Sequence, residues 1–413
     1  MEKFEEFSTY FVQETGAKEG AVSPVITQSA SFGYGDCATG EGIFDGSIKK
    51  PLYSRVGNPT TAKLENILAK MDGGIGAVCT SSGMAATTLA VMSIVSAGDE
   101  IISIGGLFGG TYAFFTETLS RFGIRTSFYD VDELEAIEAA ITDKTKIIFL
   151  ESVGNPNMRL PDIKAIAQIA SRHGVVLMVD NTITPMSIKP LELGADIVVY
   201  STTKIICGNA SALGGAAVFR AIELEGEEKF KSERYKDIHK FINKMGKMAL
   251  IPNAKKRAMR DFGMSASAFN SYLTMLGMET LPLRMDRVVS SVEKVAIALE
   301  KAGLNINHPC LEAHPHHQRY HKEFSLGCGT LLTIDMGSKE KAFAFLDRTT
   351  LPIITANIGD SRTLALHMGS TIYSDFNEEQ KAFLGITPGL IRVSIGLENP
   401  QDIINDFLQA AQF

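Results

Sequence analysis

Short apolar runs and segments of helical periodicity alternate along the chain from about residue 61 onward. Runs rich in β-branched and aromatic residues predict short strands, and apolar residues spaced three or four apart predict helices between them. The predicted strands are 99–104, 124–129, 146–150, 175–179, 197–200 and 214–219, and the predicted helices are 132–141 and 163–173. Because strands that alternate with helices form parallel sheets, this region predicts a mainly parallel α/β domain.

A second pattern of strands and helices follows a charged, helix-favouring stretch at 223–256. Apolar residues recur at steps of three and four through 284–301, and Gly303 ends that pattern, which predicts a long connecting helix. Further strands are predicted at 330–336, 363–367 and 391–395, and further helices at 339–348 and 402–411. These elements predict a smaller C-terminal α/β domain.

The first sixty residues are rich in Gly, Ser and Thr, and we find no helical periodicity in them. Such a composition favours turns and extended segments, so we predict an arm and not a domain. The predicted division is an arm over 1–60, a large sheet domain over 61–256 and a C-terminal domain with its connecting helix over 257–413.

Composition narrows the class of protein. A chain of 413 residues that is 45% hydrophobic and 21% charged is typical of a soluble globular protein with two or three domains. The net charge of −7 argues against a nucleic-acid partner, and neither a spanning segment nor a dense basic stretch indicates a membrane. We therefore expect a cytoplasmic protein with small substrates. The five scattered cysteines include no Cys-x-x-Cys pair, which argues against disulfides and a thiolate metal site.

Two polar residues each follow an apolar, β-branched run that is typical of a buried strand. Asp180 ends the run at 175–180, and Lys204 follows the run that begins at Ala195. Ligands of open α/β sheets bind at the carboxyl ends of the strands. A lysine there can form a Schiff base with a coenzyme aldehyde, and an aspartate can keep a pyridine nitrogen protonated. This pair predicts a pyridoxal phosphate site.

A coenzyme phosphate requires hydrogen-bond donors. Ser82, Gly83 and Met84 form a small-residue turn that opens into a helical segment, where free amides and the helix dipole favour an anion. An ordinary Ser/Gly helix cap explains the same turn equally well. Ser201 and Thr203, just before the lysine, would add hydroxyl donors.

Several blocks of this sequence match those of a known family in order and in spacing. They are 24–28, 53–60, 82–84, 155–160, 180–182, 191–196, 201–204, 283–286 and 392–396. On these blocks the chain resembles the fold-type I pyridoxal phosphate enzymes of cysteine and methionine metabolism over almost its whole length. The resemblance implies a fold-type I transferase with a mainly parallel, seven-stranded sheet domain and a smaller C-terminal α/β domain.

The resemblance also implies roles for individual residues. Lys204 would carry the coenzyme, Asp180 would contact its ring nitrogen, and Arg392 with Asn155 would hold the substrate α-carboxylate. Asn357 would also contact the substrate. Taken alone, Arg392 is equally typical of a surface ion pair. The residues implied to contact the coenzyme besides Lys204 and Asp180 are Ser82, Gly83, Met84, Phe108, Ser201, Thr203, Tyr53 and Arg55.

Tyr53 and Arg55 imply an assembly. In the family these two residues enter the site of the neighbouring subunit, so the resemblance implies at least a homodimer and commonly a dimer of dimers. Tyr53 is also a candidate proton donor in catalysis. In isolation, a tyrosine and an arginine in a Pro/Gly-containing stretch are typical of an ordinary surface.

The branch of the family is indicated by finer features. The segment around Asn357 resembles the O-acetylhomoserine sulfhydrylases, and Gly110 stands where methionine γ-lyases have a cysteine. These features favour γ-replacement in methionine biosynthesis, in which O-acetylhomoserine and a sulfur donor give homocysteine and acetate. A methionine γ-lyase and a cystathionine γ-synthase or lyase remain alternatives. The acyl group, acetyl or succinyl, stays open, as does the sulfur donor: sulfide, a small thiol or a protein sulfur carrier.

The chain also departs from the family. Phe108 stands where a tyrosine usually stacks on the coenzyme ring, so stacking is retained but proton transfer by a phenol is not. Because acetate leaves unprotonated far more easily than a thiolate, Phe108 favours an acylated substrate. Ile205 and Asn209 replace a usual aromatic and a usual histidine near the lysine. The histidines at 314–321 suggest a metal, but without carboxylate partners in the sequence we predict none.

Overall fold

A computed structural model describes residues 4–16, 20–225, 229–324 and 326–412, and these ranges contain two β-sheets. The strands of the larger sheet are β1 (Gly76–Thr80), β2 (Glu100–Ile104), β3 (Arg125–Tyr129), β4 (Thr145–Glu151), β5 (Val176–Asp180), β6 (Ile197–Tyr200) and β7 (Gly215–Phe219). Their order is β1-β7-β6-β5-β4-β2-β3. Only β7 runs antiparallel to its neighbours within the described ranges, so the prediction of a mainly parallel sheet is confirmed.

The smaller sheet lies in the C-terminal part of the chain. Its strands are β8 (Asn305–Asn307), β9 (Leu331–Asp335), β10 (Ile353–Ile354), β11 (Leu364–His367) and β12 (Leu390–Ser394). Their order is β10-β11-β12-β9-β8, and β10 pairs with β11 in parallel while the other pairs are antiparallel. The two sheets together confirm the predicted fold class.

Helices pack against both faces of the larger sheet and against one another. They are α1 (Glu5–Thr15), α2 (Cys37–Asp45), α3 (Pro59–Met71), α4 (Gly83–Met92), α5 (Gly109–Ala113), α6 (Leu119–Arg121), α7 (Leu134–Ala139), α8 (Ile163–Arg172), α9 (Lys236–Met245), α10 (Leu250–Ala254), α11 (Arg260–Phe262), α12 (Ala268–Glu279), α13 (Leu281–Lys301), α14 (His317–Glu323), α15 (Lys339–Arg348), α16 (Glu378–Leu384) and α17 (Pro400–Ala410). Short π-helical turns (Phe114–Thr118, Lys255–Met259) and 3₁₀ turns (Lys229–Lys231, Glu233–Tyr235, Gly246–Met248) join some of them. In the described part of the chain, no helix is both long and apolar enough to cross a bilayer.

Helix α13 connects the two sheets. The side chains of its first half, including Met285 and Val288, belong to the core on one face of the larger sheet. Those of its second half, including Val292 and Leu299, belong to the core of the smaller sheet. The predicted helix at 284–301 thus corresponds to an element that holds both units together. Of the helix-favouring stretch at 223–256, residues 226–228 lie outside the described ranges.

The expectation that the first sixty residues lack helices was wrong. Helix α1 buries Phe7 and Phe11, together with the preceding Phe4, and packs against α3 and α12. These three aromatics are spaced three and four residues apart, which is helical periodicity that the surrounding polar residues obscure. Helix α2 begins after Asp36, whose carboxylate accepts a hydrogen bond from the backbone N–H of Thr39.

The parallel strands align their polar residues at one edge. In the register of the sheet Glu151 at the end of β4 pairs with Asp180 at the end of β5, and Asp180 pairs with Val199 on β6. Ser201 follows β6 directly, and Lys204 comes one turn later. The sequence therefore delivers these groups to a common region at the carboxyl ends of the central strands, where open sheets bind ligands.

Candidate active site

A pocket of about 210 Å³ lies at the carboxyl ends of β4, β5 and β6. Ala356 and Ile358, from the loop between β10 and β11, and Arg392 of β12 close the other side of the pocket. The pocket brings together most of the residues predicted from the sequence. Those that line it are Ser82, Gly83, Met84, Phe108, Asn155, Asp180, Ser201, Thr203, Lys204 and Arg392.

Lys204 is the amine of this pocket. Its Nζ donates a hydrogen bond to Oδ1 of Asn357 at 2.6 Å. Burial lowers the pKa of Lys204 to about 8, and the positive charge of Arg392 acts in the same direction. A lysine with this pKa is still mostly protonated at neutral pH, but its neutral fraction is far larger than that of an exposed lysine, so it can act as a nucleophile and as a base.

Asp180 is a partly buried carboxylate on the same pocket wall. Its Oδ1 accepts a hydrogen bond from the backbone N–H of Thr182 at 2.9 Å. Burial raises the pKa of Asp180 above its usual value, although the bond to Thr182 opposes this effect. A cationic group that entered the pocket beside Asp180 would stabilise its ionised form.

The amino end of α4 faces the strand ends. The Ser82 hydroxyl accepts a hydrogen bond from the Ala85 backbone N–H at 3.1 Å, so the helix-cap interpretation is correct. A Cβ atom at Gly83 would lie only 2.5 Å from the Cβ of Ser201, which shows how closely the helix approaches the segment before Lys204. The cap leaves first-turn amides of this ten-residue helix available to an anion.

Thr203 occupies the pocket wall, but its hydroxyl has backbone partners. The hydroxyl donates to the Gly214 carbonyl at 3.1 Å and accepts from the Gly214 N–H at 3.0 Å. These bonds fix the loop that carries Lys204.

Phe108 lies at the pocket wall beside the first turn of α5. A Cβ atom at Gly110 would come within 2.6 Å of the Phe108 ring, so the ring in its present orientation occupies space that a side chain at position 110 would need. An aromatic ring here offers a stacking surface without a proton donor.

Arg392 on β12 is 3% exposed and reaches the pocket from the smaller sheet. It donates to the side-chain oxygen of Asn155 at 3.1 Å and makes longer contacts with the carbonyl oxygens of Ala356 and Asn357, at 3.4 and 3.5 Å. Burial lowers the pKa of Arg392 to about 10. A buried guanidinium whose hydrogen-bond partners are all neutral is suited to a carboxylate that arrives with a substrate.

Glu151 was missed in the sequence although its signal equals that of Asp180. It ends an apolar strand, lines the pocket and is 6% exposed. Burial raises its pKa well above the usual value, and the neighbouring Asp180 adds to that effect. The sequence blocks shared with the family include position 155 but not position 151, so the resemblance did not indicate Glu151.

Tyr53 and Arg55 do not line this pocket. Tyr53 is 45% exposed, and the Arg55 guanidinium carbon lies 5.7 Å from the centre of its ring. Since one chain is described, their predicted entry into a neighbouring subunit stays a prediction.

The histidine-rich segment has other partners. His316 contacts the Asp132 carboxylate at 3.0 Å and accepts a hydrogen bond from the Leu160 N–H at 2.9 Å. His314 accepts a hydrogen bond from the His316 N–H. Within the described ranges, no group of three or more His, Cys, Asp or Glu side chains is arranged to hold a metal. These hydrogen bonds connect the histidine segment, which precedes β9, to the chain segments that follow β3 and β4.

A comparison with protein families matches residues 8–412 to the family of Cys/Met metabolism PLP-dependent enzymes. The chain belongs to this family. Its coenzyme is thus pyridoxal phosphate. The pocket fits that group, because Lys204 offers an amine and Asp180 offers a carboxylate. The closely packed turn at Gly83 offers the amino end of a helix. The predicted family and coenzyme are confirmed.

Relatives with assigned names cover nearly the whole chain. An O-acetyl-L-homoserine sulfhydrylase of Leptospira meyeri is 35% identical over 427 residues, which span 97% of this chain and 96% of that protein. An L-methionine gamma-lyase of Porphyromonas gingivalis is 35% identical over 393 residues, spanning 94% and 92%.

A solved structure shares the fold. It is a putative O-acetylhomoserine (thiol)-lyase of Campylobacter jejuni that contains N'-pyridoxyl-lysine-5'-monophosphate, with a TM-score of 0.91 and 30% identity over 98% of this chain and 100% of that one. The fold-type I assignment made from the sequence is therefore confirmed.

Proposed function

We propose that this protein is an O-acetylhomoserine sulfhydrylase, which replaces the acetate of O-acetylhomoserine with sulfur and forms homocysteine for methionine biosynthesis. The observation that carries the proposal is the convergence of Lys204, Asp180 and Arg392 on one pocket with Phe108 in its wall. Relatives that bear the names O-acetyl-L-homoserine sulfhydrylase and homocysteine synthase support it.

Each residue of the pocket has a defined task in this proposal. When bound, pyridoxal phosphate supplies an electron sink for the carbons of the amino acid. Asp180 keeps the ring nitrogen protonated, and Arg392 with Asn155 holds the α-carboxylate. The Nζ atom of Lys204, freed when the substrate amine binds, removes the α-proton and then moves a β-proton. Its lowered pKa of about 8 makes Nζ an effective base near neutral pH.

In this proposal Phe108 favours a leaving group that departs without receiving a proton. A thiolate leaves easily only if it receives a proton, because a thiol has a pKa of roughly 8.5, whereas a carboxylic acid has a pKa of roughly 4. A phenylalanine ring supplies no proton at that wall. The acetyl ester of homoserine therefore suits this pocket better than methionine does.

Other features of the proposal concern assembly and location. The active unit is a homodimer in which Tyr53 and Arg55 complete the partner's site, with two dimers forming a tetramer in the cytoplasm. Residues 1–60 form the arm, 61–256 the coenzyme domain and 257–413 the C-terminal domain. The sulfur donor is sulfide, a small thiol or sulfur on a carrier protein.

Product analysis tests the activity. Purified protein loaded with pyridoxal phosphate is incubated with O-acetylhomoserine, O-succinylhomoserine or methionine, each with and without sulfide, and amino acids, acetate, 2-oxobutanoate and ammonia are measured. We expect homocysteine and acetate from O-acetylhomoserine only when sulfide is present, and none with the Lys204→Ala variant.

Two other outcomes would contradict the proposal. Release of 2-oxobutanoate and ammonia from methionine as fast as O-acetylhomoserine is consumed would make the protein a methionine γ-lyase. Turnover of O-succinylhomoserine but not of O-acetylhomoserine would place the protein with the enzymes of succinyl esters, such as a cystathionine γ-synthase.

A further inference from the structure

The peptide unit between Leu107 and Phe108 is held from both sides by side chains. Its N–H, which belongs to Phe108, donates to Oε1 of Glu151 at 2.7 Å. Its carbonyl, which belongs to Leu107, accepts from the Tyr373 hydroxyl at 3.3 Å. Both polar groups of one peptide plane thus have side-chain partners, and the plane cannot rotate without breaking a buried hydrogen bond.

The same two side chains hold a second point of the pocket wall. The backbone N–H of Asn155 donates to Oε2 of Glu151 at 3.2 Å, and the Asn155 carbonyl accepts from the Tyr373 hydroxyl at 3.2 Å. The single hydroxyl hydrogen of Tyr373 is shared between the two carbonyls. Glu151 and Tyr373 therefore join the segment that carries Phe108 to the segment that carries Asn155, and we call them the clamp pair.

The clamp pair comes from two different parts of the fold. Glu151 ends β4 of the larger sheet, whereas Tyr373 follows β11 of the smaller sheet and is fully buried against Phe376. The clamp thus acts at the same junction where Arg392 of β12 reaches Asn155. Asn155 is fixed through its side chain by Arg392 and through its backbone by the clamp pair.

The chemistry of the clamp pair matches its contacts. Each oxygen of Glu151 accepts a hydrogen bond from a backbone N–H, and these two bonds favour the ionised form against the burial that raises the pKa of Glu151. A tyrosine hydroxyl can donate, and the Tyr373 hydroxyl lies within hydrogen-bond distance of two carbonyl oxygens. Buried bonds of this kind are costly to lose because the partner left behind stays unsatisfied.

The geometry points to Glu151 and Tyr373 as positioning residues, which hold the Phe108 ring against the coenzyme and the Asn155 amide beside Arg392. The hydrogen bonds of the pair go to the backbone of the segments that carry these groups. The pair therefore acts by fixing those groups, and small displacements of them reduce binding and rate strongly. This inference rests on the proposed function only in requiring an amino-acid substrate that binds through its α-carboxylate.

Binding measurements on Glu151→Gln, Tyr373→Phe and the double variant test the clamp. The dissociation constant of pyridoxal phosphate is measured by equilibrium dialysis of coenzyme-free protein. That of L-norvaline is measured from its effect on the absorption of bound coenzyme. Norvaline has a carboxylate and an amine but no leaving group, so the result does not depend on which γ-substituent the enzyme expels.

Each single variant is expected to weaken norvaline binding roughly tenfold and coenzyme binding by a smaller factor. Because both residues hold the same two backbone points, the double variant should lose less than the product of the two single losses.

Tyr235→Phe is the matched control. The Tyr235 hydroxyl also joins two backbone groups, since it donates to the Lys146 carbonyl at 2.7 Å and accepts from the Val176 N–H at 3.0 Å. These groups lie at the amino ends of β4 and β5, away from the pocket. The control should lower the melting temperature and leave both dissociation constants unchanged.

Two results would overturn the inference. One is wild-type affinity for norvaline in either single variant, with only the melting temperature reduced as in Tyr235→Phe. The other is a double variant whose losses multiply, because independent effects would show that the two side chains do not act on the same points.

Discussion

The Nζ atom of Lys204 lies 2.6 Å from the side-chain oxygen of Asn357, and this bond joins the segment after β6 to the loop between β10 and β11. The amide oxygen accepts a hydrogen bond without adding a negative charge. Burial therefore remains the main influence on the lysine, and its pKa stays at about 8. An asparagine at this position keeps the amine both oriented and reactive.

Asn357→Asp should slow attachment of the coenzyme at neutral pH. A carboxylate at 2.6 Å would stabilise the charged ammonium and raise the pKa of Lys204 by about one unit or more, so less neutral amine would be present. The rate at which coenzyme-free protein reacts with pyridoxal phosphate, followed by absorbance across pH 6–10, reports this pKa.

Asn357→Leu separates charge from the loss of the hydrogen bond. It removes the acceptor without adding a carboxylate, so the midpoint of the pH profile should fall or stay where it is. If the Asp and Leu variants had the same midpoint, the charge-based account of Lys204 would be wrong.

Lys204→Met should stabilise the coenzyme-free protein in a pH-dependent way. Below pH 8 the folded state must bury the charged lysine, whose pKa falls from 10.5 to about 8 on folding. Between pH 8 and 10.5 the unfolded state binds more protons, so wild-type stability rises with pH. At pH 7, Lys204→Met should raise the free energy of unfolding by up to about 3 kcal/mol, reduced by the loss of the hydrogen bond to Asn357. This gain should vanish near pH 10.5.

Urea unfolding of both coenzyme-free proteins at pH 7, 8.5 and 10 measures this difference. Lys301→Met, at an exposed position on the last turn of α13, is the control and should show no such pH dependence. A stability difference that stayed constant from pH 7 to 10 would contradict the assignment of a lowered pKa to Lys204.

Local pattern was enough to predict nine of the twelve strands in the described ranges, all but β1, β8 and β10, and the meeting of Asp180 with Lys204. Residues that end adjacent parallel strands must converge, so the period of the apolar runs carries that information. Glu151 carries the same signal and could have been found by the same rule. The clamp contacts of Tyr373 could not, because they join residues more than 200 positions apart that only the packing of two sheets brings together.

Helix α1 shows the opposite case, in which the pattern was present in the sequence but did not lead to the correct prediction. Its aromatic spacing was present in the sequence, but polar neighbours gave the segment low mean hydropathy, and its burial depends on contacts with α3 and α12. The family resemblance supplied the roles of Arg392 and Asn155, which neither periodicity nor composition indicates. Tertiary contacts thus decided what local propensity left open.

Gly83→Ala should weaken coenzyme binding at least about tenfold. An added Cβ would lie 2.5 Å from the Cβ and 2.9 Å from the Cα of Ser201, so the amino end of α4 or the segment before Lys204 must shift. Equilibrium dialysis with pyridoxal phosphate measures the loss. Gly33→Ala, where a Cβ meets nothing within 4 Å, is the control and should bind coenzyme normally. Normal binding by Gly83→Ala would show that the α4 terminus does not hold the phosphate.

Phe108→Tyr should increase cleavage of methionine. The added hydroxyl places a proton donor at the pocket wall, and general acid catalysis of thiolate departure contributes about 10²-fold or more when the donor is well placed. Since Gly110 leaves the ring its present orientation, the new tyrosine should occupy the same plane. We expect 2-oxobutanoate release from methionine to rise at least about tenfold, while acetate release from O-acetylhomoserine changes less than about threefold.

Phe122→Tyr, at an exposed phenylalanine, is the control. Equal and unchanged methionine cleavage in both variants would show that the leaving group is protonated elsewhere, by Lys204 or Tyr53.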